Sequence, residues 1–391
     1  MMKLVRELKA VVAIRLAYWL GVALSLLWAP LHGSAISPFR AYDALSDLVF
    51  SAFARWDSVW FIHIADHGYD SKQVTAFFPV YPLLVRVLSH VVGSTVVAGC
   101  LVSLVAGSIG VAVVHRIARL YAGADAAWDT ALLIALYPLA FVFTAVYSDG
   151  LFLALSAGAY LAAAQRRPVA AGVLGALAVG TRLIGLALLP ALALLLWPRT
   201  RRELLNLVPL ILLPLALGAY ALYLQHHLGD ALAFSRAQGT YWNRHVSAVG
   251  PLGGAWDGLS AGYHGALELL RHLPRGSGAP DGFPARDQWA AWNVVQLLLL
   301  VAACGLTVVA WRIAVPLGVY SLATILIFLS SPADFVPLVS TPRFLLSDFP
   351  LFIALAVYTR RHAGARTAIL CTFAAVGCVA AVAFSRAVWV A

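Results

Sequence analysis

The chain has 391 residues, of which 62% are hydrophobic and 11% are charged, and its mean hydropathy is +0.86. This composition excludes an ordinary soluble domain, and we predict one all-α polytopic membrane domain over residues 1–391. The net charge of +10 does not indicate nucleic-acid binding, because the basic residues are concentrated in turns on one side of the predicted bundle.

The predicted elements begin with an apolar span at 11–29, preceded by Lys3, Arg6 and Lys9. This order is typical of a retained signal anchor with a cytoplasmic N-terminus. A first extracytoplasmic loop at 30–92 follows, and a second is predicted at 225–288. Further spans are predicted at 93–114, 128–146, 149–164, 204–224, 290–310, 315–331, 343–358 and 368–385.

The apolar stretch at 169–197 has basic residues at both ends. A single crossing would place one of these basic groups outside, so we predict two short helices that enter and return, broken near 180–182. This break would put Arg182 at the inner end of a crevice open to the outside. With these two helices the prediction is a bundle of about eleven transmembrane helices.

The most unusual stretch of the first loop is RWDSVWFIHIADHGYD at 55–70, followed by TAFFPVYP at 75–82. As a helix, it would hold aromatic and histidine side chains on one stripe and Asp57 beside apolar neighbours. Solvation opposes that position for a carboxylate, which indicates an active-site acid. A helix rich in Trp and Phe also lies in bilayer interfaces for physical reasons alone, and the spacing does not distinguish the two interpretations.

Three further ionisable residues stand out among the apolar spans. Asp149 could cap the N-terminus of its helix or belong to a site. Arg182 stands between apolar runs, and ionisable groups at membrane depth tend to be functional, so we predict that it binds a ligand or forms an ion pair. Arg343 could extend toward the interface or bind an anion.

The first loop also contains His63 and His67 at the i, i+4 spacing of a metal pair, with Asp66 and Asp70 nearby. No third imidazole falls at a suitable spacing, so we predict no metal and no other cofactor. The sequence contains no Gly-rich phosphate loop and no Walker motif, which argues against a nucleotide-driven pump.

Five segments, in order along the chain, together resemble the PIG-V family, which comprises GPI mannosyltransferase II enzymes and bacterial homologues within the GT-C glycosyltransferase superfamily. They are RWDSVWFIHIADHGYD at 55–70, AFFPVYPLL at 76–84, YSDGLF at 147–152, GTRLIG at 180–185 and PRFLL at 342–346. The resemblance implies a GT-C-like bundle and a polyprenyl-phosphate mannose donor. It also implies a lipid-linked or glycolipid acceptor and transfer with inversion on the extracytoplasmic side.

The resemblance further implies that the acid of the first loop, Asp57, is the catalytic base. From the chemistry of transfer, we expect Arg182 and Arg343 to bind the donor phosphate, since guanidinium matches its geometry. The remaining substrate contacts are expected from Arg55, Trp56, Trp60, His67, Tyr69, Phe78, Tyr81, Asp149 and Trp242. The second loop, which contains Trp242 and Arg244, carries no family motif.

Two other functions stay open from the sequence. A transporter or flippase also has many apolar spans and a buried arginine, although such proteins usually place their site between matching halves, which this sequence lacks. A related enzyme could use another lipid-linked sugar, such as arabinose or glucose. The abundance of Ala, Leu, Val and Arg favours a bacterial cell membrane, with membrane lipids as partners and no nucleic acid.

Overall fold

The chain is all-helical throughout the part that a computed structural model describes, residues 2–28, 50–271, 286–386 and 388–390. Its β pairing within those ranges is an isolated bridge between Arg244 and Ala333. The predicted all-α fold is therefore confirmed for these ranges. Residues 30–49 of the predicted first loop and 272–285 of the second lie outside the described residues.

The α-helices are labelled here in chain order. They are α1 (Met2–Trp28), α2 (Asp57–His67), α3 (Val80–Val92), α4 (Thr95–Ala122), α5 (Ala124–Leu136), α6 (Asp149–Ala164), α7 (Pro168–Val179), α8 (Leu188–Leu195), α9 (Leu212–Leu228), α10 (Ala233–Trp242), α11 (Pro251–Arg271), α12 (Arg286–Ile313), α13 (Val315–Leu329), α14 (Thr341–Ser347), α15 (Phe349–Thr359) and α16 (Ala363–Ser385). Short 3₁₀ helices occur at Ser51–Phe53, Gln73–Ala76, Ala140–Phe143, Leu183–Ala187 and Arg201–Ile211.

Within the described ranges, four helical segments are long and apolar enough to cross a membrane: Thr95–Ala122, Arg201–Leu228, Gln288–Ile313 and Ala363–Ser385. The helices α14 and α15 form a pair bent by 84°, which would make a fifth span. The other apolar helices are shorter. The chain is thus a helical membrane protein, and the predicted number of about eleven spans is not confirmed.

The predicted break in the stretch 169–197 is present. Helix α7 ends at Val179, and the chain continues through the 3₁₀ helix Leu183–Ala187 into α8. In contrast, the predicted continuous span at 128–146 is wrong, because α5 ends at Leu136. Pro138 explains this end, since proline lacks an amide hydrogen and holds the preceding residue in extended backbone.

The end of α5 leaves backbone carbonyl groups inside the bundle, and Arg15 of α1 bonds to two of them. Its guanidinium donates to the carbonyl oxygen of Ala135 at 2.7 Å and to that of Ala140, and it lies over the ring of Phe143. Arg15 is 1% exposed. This buried cation therefore compensates the broken helix, since unpaired carbonyl groups in an apolar interior are costly.

Helices α4 and α6 pack closely at the centre of the bundle. A Cβ atom on Gly150 would lie 2.8 Å from the carbonyl oxygen of Ser103 and 3.0 Å from the amide nitrogen of Gly107, so a glycine is required there. Asp149 begins α6, whereas Arg166 and Arg167 follow its C-terminal end. The two ends of this helix thus carry opposite charges, separated by roughly 24 Å at 1.5 Å per residue.

Candidate active site

Four ionisable side chains from separate parts of the chain, Asp57, Asp149, Arg182 and Arg343, form a charged cluster. Arg343 bridges the two acids. Its Nε donates to the carboxylate oxygens of Asp149 at 3.2 and 3.1 Å, and its Nη1 pairs with Asp57. Arg182 pairs with Asp149 from the other side. The two residues of each ion pair are far apart in the sequence, so the fold creates the cluster.

The two carboxylates of the charged cluster differ in exposure. The Asp149 side chain is 0% exposed, whereas the Asp57 side chain is 26% exposed. The arginines lie between these values, Arg182 at 15% and Arg343 at 12%. Asp57 is therefore the acid that a substrate could reach, and Asp149 is the enclosed anion that both guanidinium groups share.

Each residue of the charged cluster lies at a helix end or a break. Asp57 and Asp149 are the first residues of α2 and α6, where the partial positive charge of the helix N-terminus favours a carboxylate. Arg182 lies in extended backbone between α7 and the following 3₁₀ helix. Arg343 lies in the first turn of α14, after Thr341 and Pro342. The helix ends therefore turn these side chains toward one another.

The backbone is strained directly before two of these elements. Trp56, the residue before Asp57, has a φ of +56°, and Ser340, the residue before α14, has a φ of +68°. Positive φ is unfavourable for residues other than glycine, at about 1–3 kcal/mol each, and such residues concentrate at functional sites. The strain supports a functional interpretation of the cluster.

Tyr147 joins the charged cluster, although the sequence analysis did not assign it to the site. Its hydroxyl accepts a hydrogen bond from the backbone amide of Asp57 at 3.3 Å, and its ring lies 4.5 Å below the guanidinium carbon of Arg343. It fixes the start of α2 against the arginine. Its place two residues before Asp149, in the motif YSDGLF, was the signal that could have identified it.

Two predicted substrate-binding residues, Trp60 and Trp242, come together beside the charged cluster. Their ring centroids are 6.0 Å apart, and the ring of Phe77 lies 6.3 Å from Trp60 and 5.4 Å from Trp242. Trp60 follows Asp57 by three residues on α2, so both side chains project from neighbouring positions of that helix. The first and second loops thus share an aromatic surface next to the acid.

Other predicted contacts lie within the protein core. Tyr69 donates to the carbonyl oxygen of Phe77 at 2.7 Å, and burial raises the pKa of its hydroxyl well above the usual value. The Tyr81 hydroxyl lies 2.8 Å from that of Ser103. Phe78, which belongs to the first loop, packs against Tyr220 of α9. These side chains anchor the first loop to α4 and α9.

The remaining predicted residues lie around the start and end of α2. Arg55 is buried, and its Nε lies 3.4 Å from the carbonyl oxygen of Ser385. Trp56 lines a small cleft together with Tyr147 and Arg343. His67 is exposed and stacks on His63 at 4.8 Å between ring centroids.

His63 in turn bonds to Asp70 at 2.9 Å, and this hydrogen bond lowers the pKa of the Asp70 carboxyl. Both side chains of this pair are partly exposed, His63 at 35% and Asp70 at 49%. Among the residues that the structure describes, no group of three or more His, Cys, Asp and Glu side chains could hold a metal ion.

Two further residues, Phe344 and Arg244, lie beside the charged cluster. Phe344 is uncharged, and Arg244 belongs to a loop without a motif, so the sequence analysis assigned neither to the site. The ring of Phe344 lies 5.6 Å from the guanidinium carbon of Arg182 and 5.7 Å from that of Arg244. Phe344 directly follows Arg343 in the motif PRFLL, whereas Arg244 belongs to the second loop. The site therefore contains a third arginine.

Comparison with known proteins gives a match to the family described as "Mannosyltransferase (PIG-V)" over residues 8–217. This range contains Asp57, Asp149 and Arg182, whereas Arg244 and Arg343 lie beyond it. A "GPI alpha-1,6-mannosyltransferase 2" from Cricetulus griseus is 31% identical over 171 residues, covering 40% of this chain and 35% of the relative.

The corresponding protein from Rattus norvegicus is 32% identical over 171 residues, with the same shares of 40% and 35%. A "GPI mannosyltransferase 2" from Drosophila pseudoobscura pseudoobscura is 29% identical over 126 residues, covering 29% of this chain and 28% of the relative. The chain thus spans about a third of the length of the curated relatives it matches. No solved structure matches the chain.

Proposed function

Because the chain belongs to the PIG-V mannosyltransferase family, we propose that it transfers mannose from a polyprenyl-phosphate mannose donor to a lipid-linked or glycolipid acceptor. The observation that carries this proposal is the bridge that Arg343 makes between Asp57 and Asp149. It joins a reachable carboxylate to a guanidinium that can bind phosphate, which are the two groups that glycosyl transfer requires.

Asp57 acts as the general base. Its partial exposure lets it reach the acceptor hydroxyl, whereas the enclosed Asp149 cannot. Asp57 takes the hydroxyl proton, and the acceptor oxygen attacks the anomeric carbon on the face opposite to the leaving phosphate. Attack from that face inverts the anomeric configuration. Asp149 fixes both arginines in place, so its role is to position them.

We assign the binding of the donor phosphate to Arg182 and Arg343, the two arginines that pair with Asp149 and Asp57. Arginine offers five N–H donors in a planar arrangement, so Arg343 can donate to a phosphate oxygen while it still bonds to Asp149. Fixed donors of this kind stabilise the negative charge that develops on the leaving group. The charge and the geometry of Arg182 and Arg343 together support a role in phosphate binding.

The aromatic surface of Trp60, Phe77 and Trp242 suits the apolar face of a sugar ring. Trp60 and Trp242 are half-buried, so part of each ring remains accessible. Their position beside Asp57 would hold a sugar next to the base. Tyr69 supports this surface from the core through its hydrogen bond to the carbonyl oxygen of Phe77. We assign Arg55, Trp56, His67, Phe78 and Tyr81 to the surroundings of the substrate.

The charge distribution supports an extracytoplasmic site. Arg166 and Arg167 lie at the end of α6 opposite to Asp149, and basic residues favour the cytoplasmic side of a membrane. The bacterial cell membrane remains our proposal for the location, from composition alone. A transporter has less support than an enzyme, because the charged groups gather at one end of the helices.

The test is transfer of labelled mannose from polyprenyl-phosphate mannose to extracted glycolipids by the purified protein in lipid nanodiscs. Wild type should form product and Asp57→Asn should not. Asp66→Asn is the matched control, because Asp66 is an exposed carboxylate on the same helix, bonded to Thr95. Failure of the wild type with every extract, or near-normal transfer by Asp57→Asn, would contradict the proposal.

A further inference from the structure

Arg244 differs from the other arginines of the site in the groups that it contacts. Its Nη1 donates to the carbonyl oxygen of Ser331 at 3.0 Å, and its Nη2 donates to that of Val339 at 2.6 Å. Among the described residues, no carboxylate lies within ion-pair distance of Arg244. Its charge is therefore held by neutral acceptors, whereas Arg182 and Arg343 are each paired with an acid.

The Arg244 guanidinium lies close to the charged cluster. It shares the ring of Phe344 with Arg182, and a second ring, that of Phe328, lies 5.9 Å away. Burial, together with the nearby Arg343 and Arg182, lowers the pKa of Arg244 to about 10, so the side chain stays protonated at neutral pH. Among the residues that the structure describes, three guanidinium groups thus lie near two carboxylates, and one positive charge has no acidic partner.

The backbone holds Arg244 in a fixed place relative to Arg343. The amide of His245 donates to the carbonyl oxygen of Pro332 at 3.1 Å, and the amide of Asp334 donates to that of Asn243 at 2.9 Å. This short antiparallel pairing ties the second loop to the segment that leads into α14. The position of Arg244 is therefore built into the site.

Backbone strain singles out the same residue. Asn243, directly before Arg244, has a φ of +51°, as Trp56 has before Asp57 and Ser340 before α14. Within the described ranges, three of the four positive-φ residues other than glycine therefore introduce a residue of this site, and the fourth is Arg166. Positive φ before three of the segments that contribute to the site supports a functional position for the side chains that follow.

We propose that Arg244 supplies the uncompensated charge that holds a phosphate-ester anion at this site, namely the lipid phosphodiester of the sugar donor. The inference rests on the proposed function for the identity of that anion. A phosphodiester carries one negative charge, which matches the one positive charge without an acidic partner. Arg182 and Arg343 then position the two carboxylates, and they contact the phosphate after Arg244 has bound it.

The charges also balance during transfer. The acceptor oxygen bonds to the anomeric carbon, the bond from that carbon to the phosphate oxygen breaks, and its electron pair stays on the phosphate. The acceptor proton passes to Asp57, which becomes neutral and releases Arg343 from its ion pair. Arg343 can then bind the second negative charge of the leaving phosphate, while Arg244 holds the first.

The experiment measures binding to the full chain in lipid nanodiscs of neutral lipid, with polyprenyl phosphate and uncharged polyprenol as paired probes. Wild type should prefer the phosphate lipid, and Arg244→Gln should reduce that preference by about 10-fold or more, as expected for a hydrogen-bonded charge. Inorganic phosphate and phosphatidylglycerol are the other arms, and neither should compete at equal concentration. Equal competition by either would reduce the site to one for any phosphate or for any anionic headgroup, and would overturn the assignment.

His245→Gln is the control for the loop contact, because His245 is exposed and pairs with Asp334 across the same two segments. It should keep the wild-type preference. A wild-type preference in Arg244→Gln would make Arg244 a structural tether and overturn the inference. If that variant does not fold, Arg244→Lys decides: a retained preference at lower thermal stability supports the charge role, and a lost preference at wild-type stability contradicts it.

Failure of this inference can be told apart from failure of the proposed function. Transfer by the wild type together with an unchanged preference in Arg244→Gln would leave the enzyme intact and remove Arg244 from the phosphate site. No preference for the phosphate lipid in the wild type, together with no transfer, would instead contradict the donor itself.

Discussion

The two acids of the charged cluster should respond in opposite ways to the same substitution. Asp57→Asn removes a charge that Arg343 contacts through one nitrogen, and Arg343 keeps both of its hydrogen bonds to Asp149. Asp149→Asn removes the one anion that Arg182 and Arg343 share, inside a site where Asp149 is fully enclosed. We therefore expect the first change to affect catalysis and the second to affect folding.

The magnitudes follow from exposure. The Asp57 side chain is partly solvated, so loss of its ion pair should lower stability by about 1 kcal/mol or less. Loss of a general base lowers the rate by about 10²–10⁴-fold, or roughly 3–5 kcal/mol of transition-state stabilisation. Removal of one partner from a buried ion pair costs about 3–5 kcal/mol of stability, which is the value expected for Asp149→Asn.

The assay measures the initial transfer rate and the thermal unfolding midpoint on the same nanodisc preparation of each variant. Asp57→Asn should unfold near the wild-type temperature and be nearly inactive. Asp149→Asn should unfold at a clearly lower temperature or fail to accumulate. The reasoning is refuted if Asp57→Asn is destabilised as much as Asp149→Asn, or if Asp149→Asn is as stable as the wild type while Asp57→Asn is fully active.

Three further substitutions test the surrounding structure. Arg343→Lys should lower kcat by about 10–100-fold without lowering expression, because one ammonium group cannot replace a planar guanidinium that bonds to both acids. Transfer rates at saturating donor would check this prediction. Arg15→Met should lower the unfolding midpoint, because about 1–3 kcal/mol is lost for each carbonyl left without a donor, and an unchanged midpoint would contradict the compensating role. Gly150→Ala should reduce both midpoint and rate, since the backbone of α4 blocks the added methyl, whereas Gly218→Ala, with nothing within 4 Å, should lower neither.

The sequence was sufficient to identify α2 and the helix break before Leu183, because both are local features. Composition and periodicity mark an amphipathic stretch, and Gly180 with Arg182 interrupts an apolar run. Asp57 could be selected as an acid beside apolar neighbours in the first loop, and Asp149, Arg182 and Arg343 as ionisable residues among the apolar spans. Their pairing could not be predicted, because Arg343 follows Asp57 by 286 residues and no periodicity connects positions that far apart.

The errors have physical causes that a hydropathy profile does not contain. The stretch 128–146 is apolar throughout, yet Pro138 ends its helix, and the break is tolerated because Arg15 bonds to the freed carbonyl groups. Arg15 itself was hidden within a predicted span. Arg244 belongs to a loop without a motif. Its significance depends on the absence of an acid beside it among the described parts of the chain, which only packing reveals.

The breaks in the helices and the charges of the site depend on each other. A continuous apolar helix leaves no backbone group free to interact with a buried ion, whereas a helix end does. Here α2, α6 and α14 begin at the cluster, and α7 ends beside it, so amide dipoles and opposite charges meet in one place. Arg343 then links the acids of two of these ends. A change that straightens one break would therefore move more than one residue of the charged cluster.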